Sequence, residues 1–172
     1  PWLYWMPESL PGLGLGRTEY RTDFPLDRMS PWLAALAATM WPRLDAFVAA
    51  RTANAARYRA RLSGVPGISI VRPTAGSRPS DLRFPMLVTD AGRRDDLIGA
   101  LRTAGIGATG SYPGSIADIP ELEPRFAGPP DAIQGRSIAA RIVTLPTHPL
   151  VSGRDIDRAV RLVTRIGGGV SC

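Results

Sequence analysis

Residues Ser30–Leu62, SPWLAALAATMWPRLDAFVAARTANAARYRARL, decide the architecture of this chain. Ser30 offers a hydroxyl to cap free N–H groups, and Pro31 is the imino acid suited to the first helical position. Leu33, Leu36, Met40, Leu44 and Phe47 recur at three- and four-residue steps, and the pattern continues through Val48 and Ala55 to Tyr58 and Leu62. That spacing predicts one helix with an apolar face, left through Gly64 in the left-handed conformation. At 1.5 Å per residue such a helix would reach about 50 Å, more than the core of a small domain needs. It is expected to span two domains or a subunit contact. Pro42 removes an N–H and crowds the preceding turn, so a kink or break is expected near Thr39–Trp41.

Downstream, Gly64–Gly67 turns the chain into a short β-branched strand, Ile68–Val71, which Pro73 ends. Leu82–Thr89 reads as a second strand. Pro85 within it argues for an edge position or a bulge. Asp90 or Gly92 opens a helix through Ala104 with Leu97, Ile98 and Leu101 inward, and Gly105 closes it. Ile106–Tyr112 reads as a third strand weakened by glycines. Residues 113–130 hold five prolines and predict a long loop with one or two helical turns. Asp131 then caps a helix through Ala140, and Ile142–Leu145 is a last strand. Ser152 and Gly153 precede an amphipathic helix whose Ile156, Val160, Val163 and Ile166 share a face. The order predicts an α+β fold: a long helix, then a small domain whose mostly antiparallel sheet is covered by helices. The expected divisions are 1–29, an irregular segment; 30–64, the long helix; 65–168, the α+β domain; and 169–172, a tail.

Upstream, residues 1–29 crowd Trp2, Tyr4, Trp5, Leu10, Leu13 and Leu15 among prolines and glycines. They read as a loop packed on its own domain, with docking on a large domain or partner chain as the alternative.

Composition narrows the function classes. Hydrophobic residues at 44% and charged residues at 21% describe a folded soluble protein. No uninterrupted apolar run approaches the roughly 18 residues of a membrane span, so no membrane partner is expected. All 21 basic residues are arginine, so the chain contains no lysine. The net charge of +6 invites a nucleic-acid reading, but there is no recognition motif and no aromatic stacking platform, which argues against one. A single terminal cysteine and a single histidine exclude a disulfide framework and a Cys- or His-rich metal site.

Five segments resemble the DegT/DnrJ/EryC1/StrS family of pyridoxal-phosphate (PLP) sugar aminotransferases. Arg51, Asn54, Ala55, Tyr58 and Leu62 are spaced as in its linker helix. Leu82–Val88 is similar to the first strand of its small domain, and Leu101 through Ala104-Gly105-Ile106-Gly107 to its turn into an active-site strand ending at Ser111-Tyr112-Pro113. Ile142–Leu150 with Asp155-Ile156 resembles its closing segment. Upstream, Arg28-Met29-Ser30 with Ala34-Ala35-Leu36 and Arg43-Leu44-Asp45 matches a segment near the subunit boundary. Together they cover about residues 28–166.

The resemblance implies the small domain of a fold-type I enzyme and its linker helix. The whole protein would be a PLP-dependent, cytoplasmic homodimer aminating a nucleotide-linked keto-sugar, with a glutamate-type amino donor, in polysaccharide or glycoconjugate biosynthesis. By the same resemblance Arg28 would approach the cofactor across the subunit boundary, and Tyr112 and His148 would face the substrate. Two departures stand out: Leu26 replaces an asparagine that contacts cofactor phosphate, and Ser111 replaces a common histidine. PLP is held as a Schiff base on lysine, so no catalytic residue is expected within these residues and the segment alone should be inactive. A regulator or interaction module that kept the fold without the chemistry is the alternative.

Read without the resemblance, His148 between Pro146 and Pro149 is a turn residue with a satisfied ring nitrogen, and an active-site role comes second. Tyr112, its backbone restricted by Pro113, is either a core-edge phenol or a site residue. Asp95 and Asp96 read as a solvated helix face.

Overall fold

A computed structural model describes residues 27–128 and 131–168. The expectations for the N-terminal aromatics and for the tail at 169–172 lie outside the described residues. Helix α1 spans Pro31–Met40, with the Ser30 hydroxyl accepting from the Leu33 N–H at 3.3 Å. Trp41–Arg43 tightens into a 3-10 turn around Pro42, and α2 continues over Leu44–Leu62. The expected disturbance is therefore present, one to two residues later than the sequence suggested. Gly64 leaves the helix at φ 81°.

Three antiparallel strands follow in the order β1 (Ile68–Ile70), β2 (Arg83–Val88), β3 (Ile142–Pro146). Ile70 faces Met86, and Met86 faces Val143. Helix α3 (Arg94–Thr103) follows an Asp90-capped 3-10 turn, α4 (Ile133–Arg141) precedes β3, and α5 (Gly153–Leu162) runs on through a π turn to Gly167. Asp131 caps α4 through the Ile133 N–H, one residue outside the helix proper. Ser152 and Asp155 close a reciprocal capping box at the start of α5. Residues 113–128 contain two 3-10 segments, Ile116–Asp118 and Pro120–Arg125, as the proline spacing suggested.

Alternation along β2 turns Phe84, Met86 and Val88 to one face, opposite Leu145 and Val143 of β3. Ala55, Tyr58 and Leu62 of α2, Leu97 and Leu101 of α3, and Ile156, Ala159 and Val160 of α5 cover that face. Tyr58 stacks on Phe84 with ring centroids 5.3 Å apart. Each such large side chain contributes about 1.5–3 kcal/mol on burial.

Two strand expectations are corrected. Pro85 lies in the central strand, with no bulge: it faces Thr144 in an unbroken register. Thr144 exchanges its own backbone bonds with Thr109 on its far side, so Thr144–Pro85 is a non-hydrogen-bonded pair. The donor that Pro85 lacks would point toward β1, which has already ended at Ile70. The fourth strand, expected over Ile106–Tyr112, is an irregular segment with a single bridge, Thr109 to Thr144. Gly105 and Ser111 adopt φ of 77° and 59°, which breaks the extended path on both sides of the bridge.

The apolar face expected of the long helix is buried only in its second half. None of α1 is buried, whereas Asn54, Ala55, Tyr58 and Leu62 of α2 are. By length and composition alone, Pro31–Leu62 could cross a membrane, with a window of mean hydropathy 1.2. Counting uninterrupted apolar runs missed it because Pro42, Arg43 and Asp45 fall inside. Its C-terminal half is packed on the sheet, so the helix as a whole is not a free membrane span.

Candidate functional site

The side of the sheet turned away from the core carries Arg83, Pro85 and Thr144, and polar groups converge there. The Arg83 Nε donates to the Thr144 Oγ1 at 2.7 Å, and one Arg83 terminal nitrogen reaches the Thr144 carbonyl at 3.0 Å and the Gly107 carbonyl. Thr144, 4% exposed, also meets the Thr109 and Ser111 hydroxyls, each at 3.1 Å. A second arginine brackets the same segment. Arg94 of α3 donates to the Ile142 carbonyl at 3.3 Å, and its guanidinium lies directly over Gly110, where a Cβ would come within 1.8 Å of Nη2. Residues 107–112 are thus held between two arginines beside β3.

A second polar set joins α2 to the loop after β3. Arg51 donates to the Leu82 carbonyl at 2.7 Å and to the Thr147 hydroxyl at 3.3 Å. One turn on, the buried Asn54 amide donates to the carbonyls of Thr147 and His148 at 3.1 and 3.3 Å. Thr147 donates in turn to the Asp81 carbonyl. Asp81 itself stands at φ 46° with its carboxylate 3.9 Å from Arg59. The arginine and asparagine of the helix pattern therefore hold the loops on either side of the sheet end, and they are buried or half-buried rather than solvated.

The three residues singled out in the sequence occupy different places. Arg28 is exposed, ahead of α1. From Pro31 to Arg51, the level of the sheet, the helix covers about 30 Å at 1.5 Å per residue. Tyr112 is exposed, and its phenol makes no hydrogen bond to a described residue, which corrects the core-edge reading. His148 is exposed as well, and its ring makes no bond to a described residue, so the ring nitrogen expected to be satisfied is open to solvent. What is held in His148 is its backbone, by Asn54 and by the Val151 N–H at 2.9 Å. Thr109 is bridged to Thr144 in the middle of β3, and His148 lies past the Pro146 end of that strand. The chain therefore does not bring Arg28 into one cluster with His148.

Electrostatics distinguish the titratable groups. Partial burial, then the charges of Arg51 and Arg83, lower the His148 pKa and favour the neutral ring. Hydrogen bonds from Ser152 hold Asp155 below the usual carboxylate range. Burial, helped by Asp155, pushes the Tyr58 phenol up to about 12, and its hydroxyl has no partner among the described residues. No group of three or more metal-ligating side chains occurs among the described residues. An open hollow of about 660 Å³ lies over Asp118, Ile119, Phe126 and Arg136, with Arg136 bonded to Asp118 at 2.6 Å. None of the three singled-out residues lines it.

The donor set does not fit PLP by itself, because an imine needs a lysine amine and none of the 172 residues is lysine. These residues can orient and hydrogen-bond a polar ligand. The amine must come from outside them. The sequence missed Arg83, Arg94, Ser111 and Thr144 as a set. One signal was available: an arginine at the first position of an otherwise apolar strand.

Residues 26–164 match the model of the DegT/DnrJ/EryC1/StrS aminotransferase family. A dTDP-4-dehydro-2,6-dideoxy-D-glucose 3-dehydratase from Saccharopolyspora spinosa is 31% identical over 133 residues, covering 76% of this chain and 29% of the dehydratase. The crystal structure of S. venezuelae DesV in complex with a ketimine intermediate superposes with TM-score 0.73 at 24% identity, over 84% of this chain and 38% of DesV. A DegT DnrJ EryC1 StrS aminotransferase from Brucella abortus gives TM-score 0.71 at 23% identity, over 90% of this chain and 41% of that one. The chain spans between about three tenths and two fifths of the length of these relatives.

Proposed function

The chain belongs to the DegT/DnrJ/EryC1/StrS aminotransferase family, and from that premise we propose that it is the C-terminal portion of a PLP-dependent enzyme acting on a nucleotide-linked keto-sugar. The match over residues 26–164 carries this reading. In it, Pro31–Leu62 links residues 65–168, the small domain, to a cofactor-bearing part that supplies the lysine. The apolar, wholly exposed α1 and the 3-10 turn after it support a covering partner of that kind, since Trp32 and Trp41 are 72% and 73% exposed here.

Tyr112 and His148 would face the sugar nucleotide from the small domain. Arg28 would serve the second site of a homodimer, in keeping with its distance along the helix. The expected reaction is transfer of an amino group from a glutamate-type donor to the sugar ketone, in the cytoplasm, for polysaccharide or glycoconjugate synthesis. Dehydration of the keto-sugar is the second reading, favoured by the 31% identity to a 3-dehydratase.

The test is incubation of the complete protein with PLP, glutamate and a dTDP-linked 4-keto-sugar. Formation of amino-sugar together with 2-oxoglutarate is the expected outcome. A 3-deoxy keto-sugar without amino-sugar would select the dehydratase reading, its two electrons supplied by glutamate (oxidised to 2-oxoglutarate with release of ammonia) or by an added chemical reductant. Unchanged sugar would leave the non-catalytic module as the function.

A further inference from the structure

Tyr112 is 55% exposed, and no hydrogen bond to a described residue holds its phenol. Its direction is therefore set by its backbone, and that backbone follows an unusual residue. Ser111 stands at φ 59°, where a side chain with a Cβ is disfavoured, so something must hold it there. Three hydrogen bonds surround it. The Ser111 N–H donates to the Thr109 Oγ1 at 3.3 Å, the Ser111 and Thr144 hydroxyl oxygens are 3.1 Å apart, and the Tyr112 N–H donates to the Gly110 carbonyl at 2.7 Å.

Thr144 Oγ1 has one proton and two lone pairs, and four neighbours share them: it accepts from Arg83 Nε, and the Thr109 carbonyl, the Thr109 hydroxyl and the Ser111 hydroxyl lie within 3.3 Å. This network ties the segment at Gly107, Thr109 and Ser111 to one buried threonine and one arginine. Arg94 over Gly110 closes the remaining side, where a Cβ would require its guanidinium to move.

We propose that Ser111 is a positioning residue: through its bond to Thr144 it holds the left-handed turn that aims the Tyr112 phenol outward, toward the keto-sugar. The destination of the phenol rests on the reading under Proposed function. The aiming does not.

The test uses this chain with 13C-labelled tyrosine, reading the Tyr112 ring resonances and amide exchange at Ser111 and Tyr112 by NMR. Ser111→Ala and Thr144→Val should each speed exchange at both amides at least tenfold and move the Tyr112 ring signals toward those of free tyrosine. Thr144→Ser, which keeps the hydroxyl, should restore both to the parent values. Ser111→Gly, which accepts the turn without strain but lacks the bond, should loosen Tyr112 like alanine and serves if the other variants do not fold. An unmoved Tyr112 in a folded Ser111→Ala or Ser111→Gly, or a Thr144→Ser as disruptive as valine, would overturn the proposal. Neither cofactor nor sugar is needed, so this result stands apart from the substrate reading. In the complete protein, Ser111→Ala should raise KM for the sugar severalfold with kcat less affected. A loosened Tyr112 with KM unchanged would overturn the stated destination of the phenol while leaving the aiming in place.

Discussion

In the helix Pro31–Leu62 the more apolar half buries nothing, and the arginine-rich half is the one that packs. In α1, Trp32 is 72% exposed and nothing is buried, although the segment PWLAALAATM is almost wholly apolar. In α2, arginines crowd the sequence, yet Asn54, an amide, is 5% exposed. Hydrophobicity alone predicts the reverse. What differs is the surface beneath: α2 lies over Phe84, Leu145 and the loop at Thr147, and α1 has no described element under it. An amide can be buried there because both of its N–H groups find carbonyls, which removes most of the desolvation cost.

The contrast is most directly broken at Tyr58. Tyr58→Ala removes the ring stacked on Phe84 and leaves a cavity under α2, and should cost about 3–5 kcal/mol in chemical denaturation. Tyr58→Phe should do the opposite, stabilising by about 1 kcal/mol, because the hydroxyl it deletes is buried with no partner among the described residues. A loss of stability in the phenylalanine variant would mean that a bound water satisfies that hydroxyl.

A smaller effect is expected at the polar joint. Asn54→Ala withdraws the donor from the Thr147 and His148 carbonyls and should cost about 1–3 kcal/mol. The loop 147–150 should become the first site of proteolysis, read by mass spectrometry of limited digests. Persistence of the parent digestion pattern would show that the Val151 N–H and Arg51 are enough to hold it.

The least effect belongs to the most hydrophobic residue of the set. Trp32→Ala should change the stability of this chain by no more than about 0.5 kcal/mol, since the side chain it removes is exposed. A loss matching that of Asn54→Ala, measured in the same denaturant, would mean that α1 is already covered within this chain and would erase the contrast between the two halves.

Much of the site was hidden in the sequence for a definite reason. The helices carry their own signals, because capping and turn chemistry act within a few residues. Ser30-Pro31, Ser152 with Asp155, and Gly64 and Gly105 at positive φ all mark boundaries close to where the structure places them. The antiparallel strands were legible through their β-branched and apolar residues. Segment 106–112 was not, since whether it extends depends on Arg94, Arg83 and Thr144, none of which lies within ten residues of Tyr112. Pro85 misled for a related reason: which way its missing donor points depends on where β1 stops and on what pairs with the far side of β3.

By itself, then, the sequence determined the order of elements apart from the strand expected over Ile106–Tyr112, the break at Pro42 and the lack of any lysine to hold PLP. These follow from local stereochemistry and composition. Only the tertiary structure decided that Arg51 and Asn54 grip carbonyls, that Ser111 turns inward while Tyr112 points out, and that Arg28 stands apart from His148. Each of those depends on a partner brought close by folding, and hydrogen bonds are too short in range for spacing along the chain to reveal them.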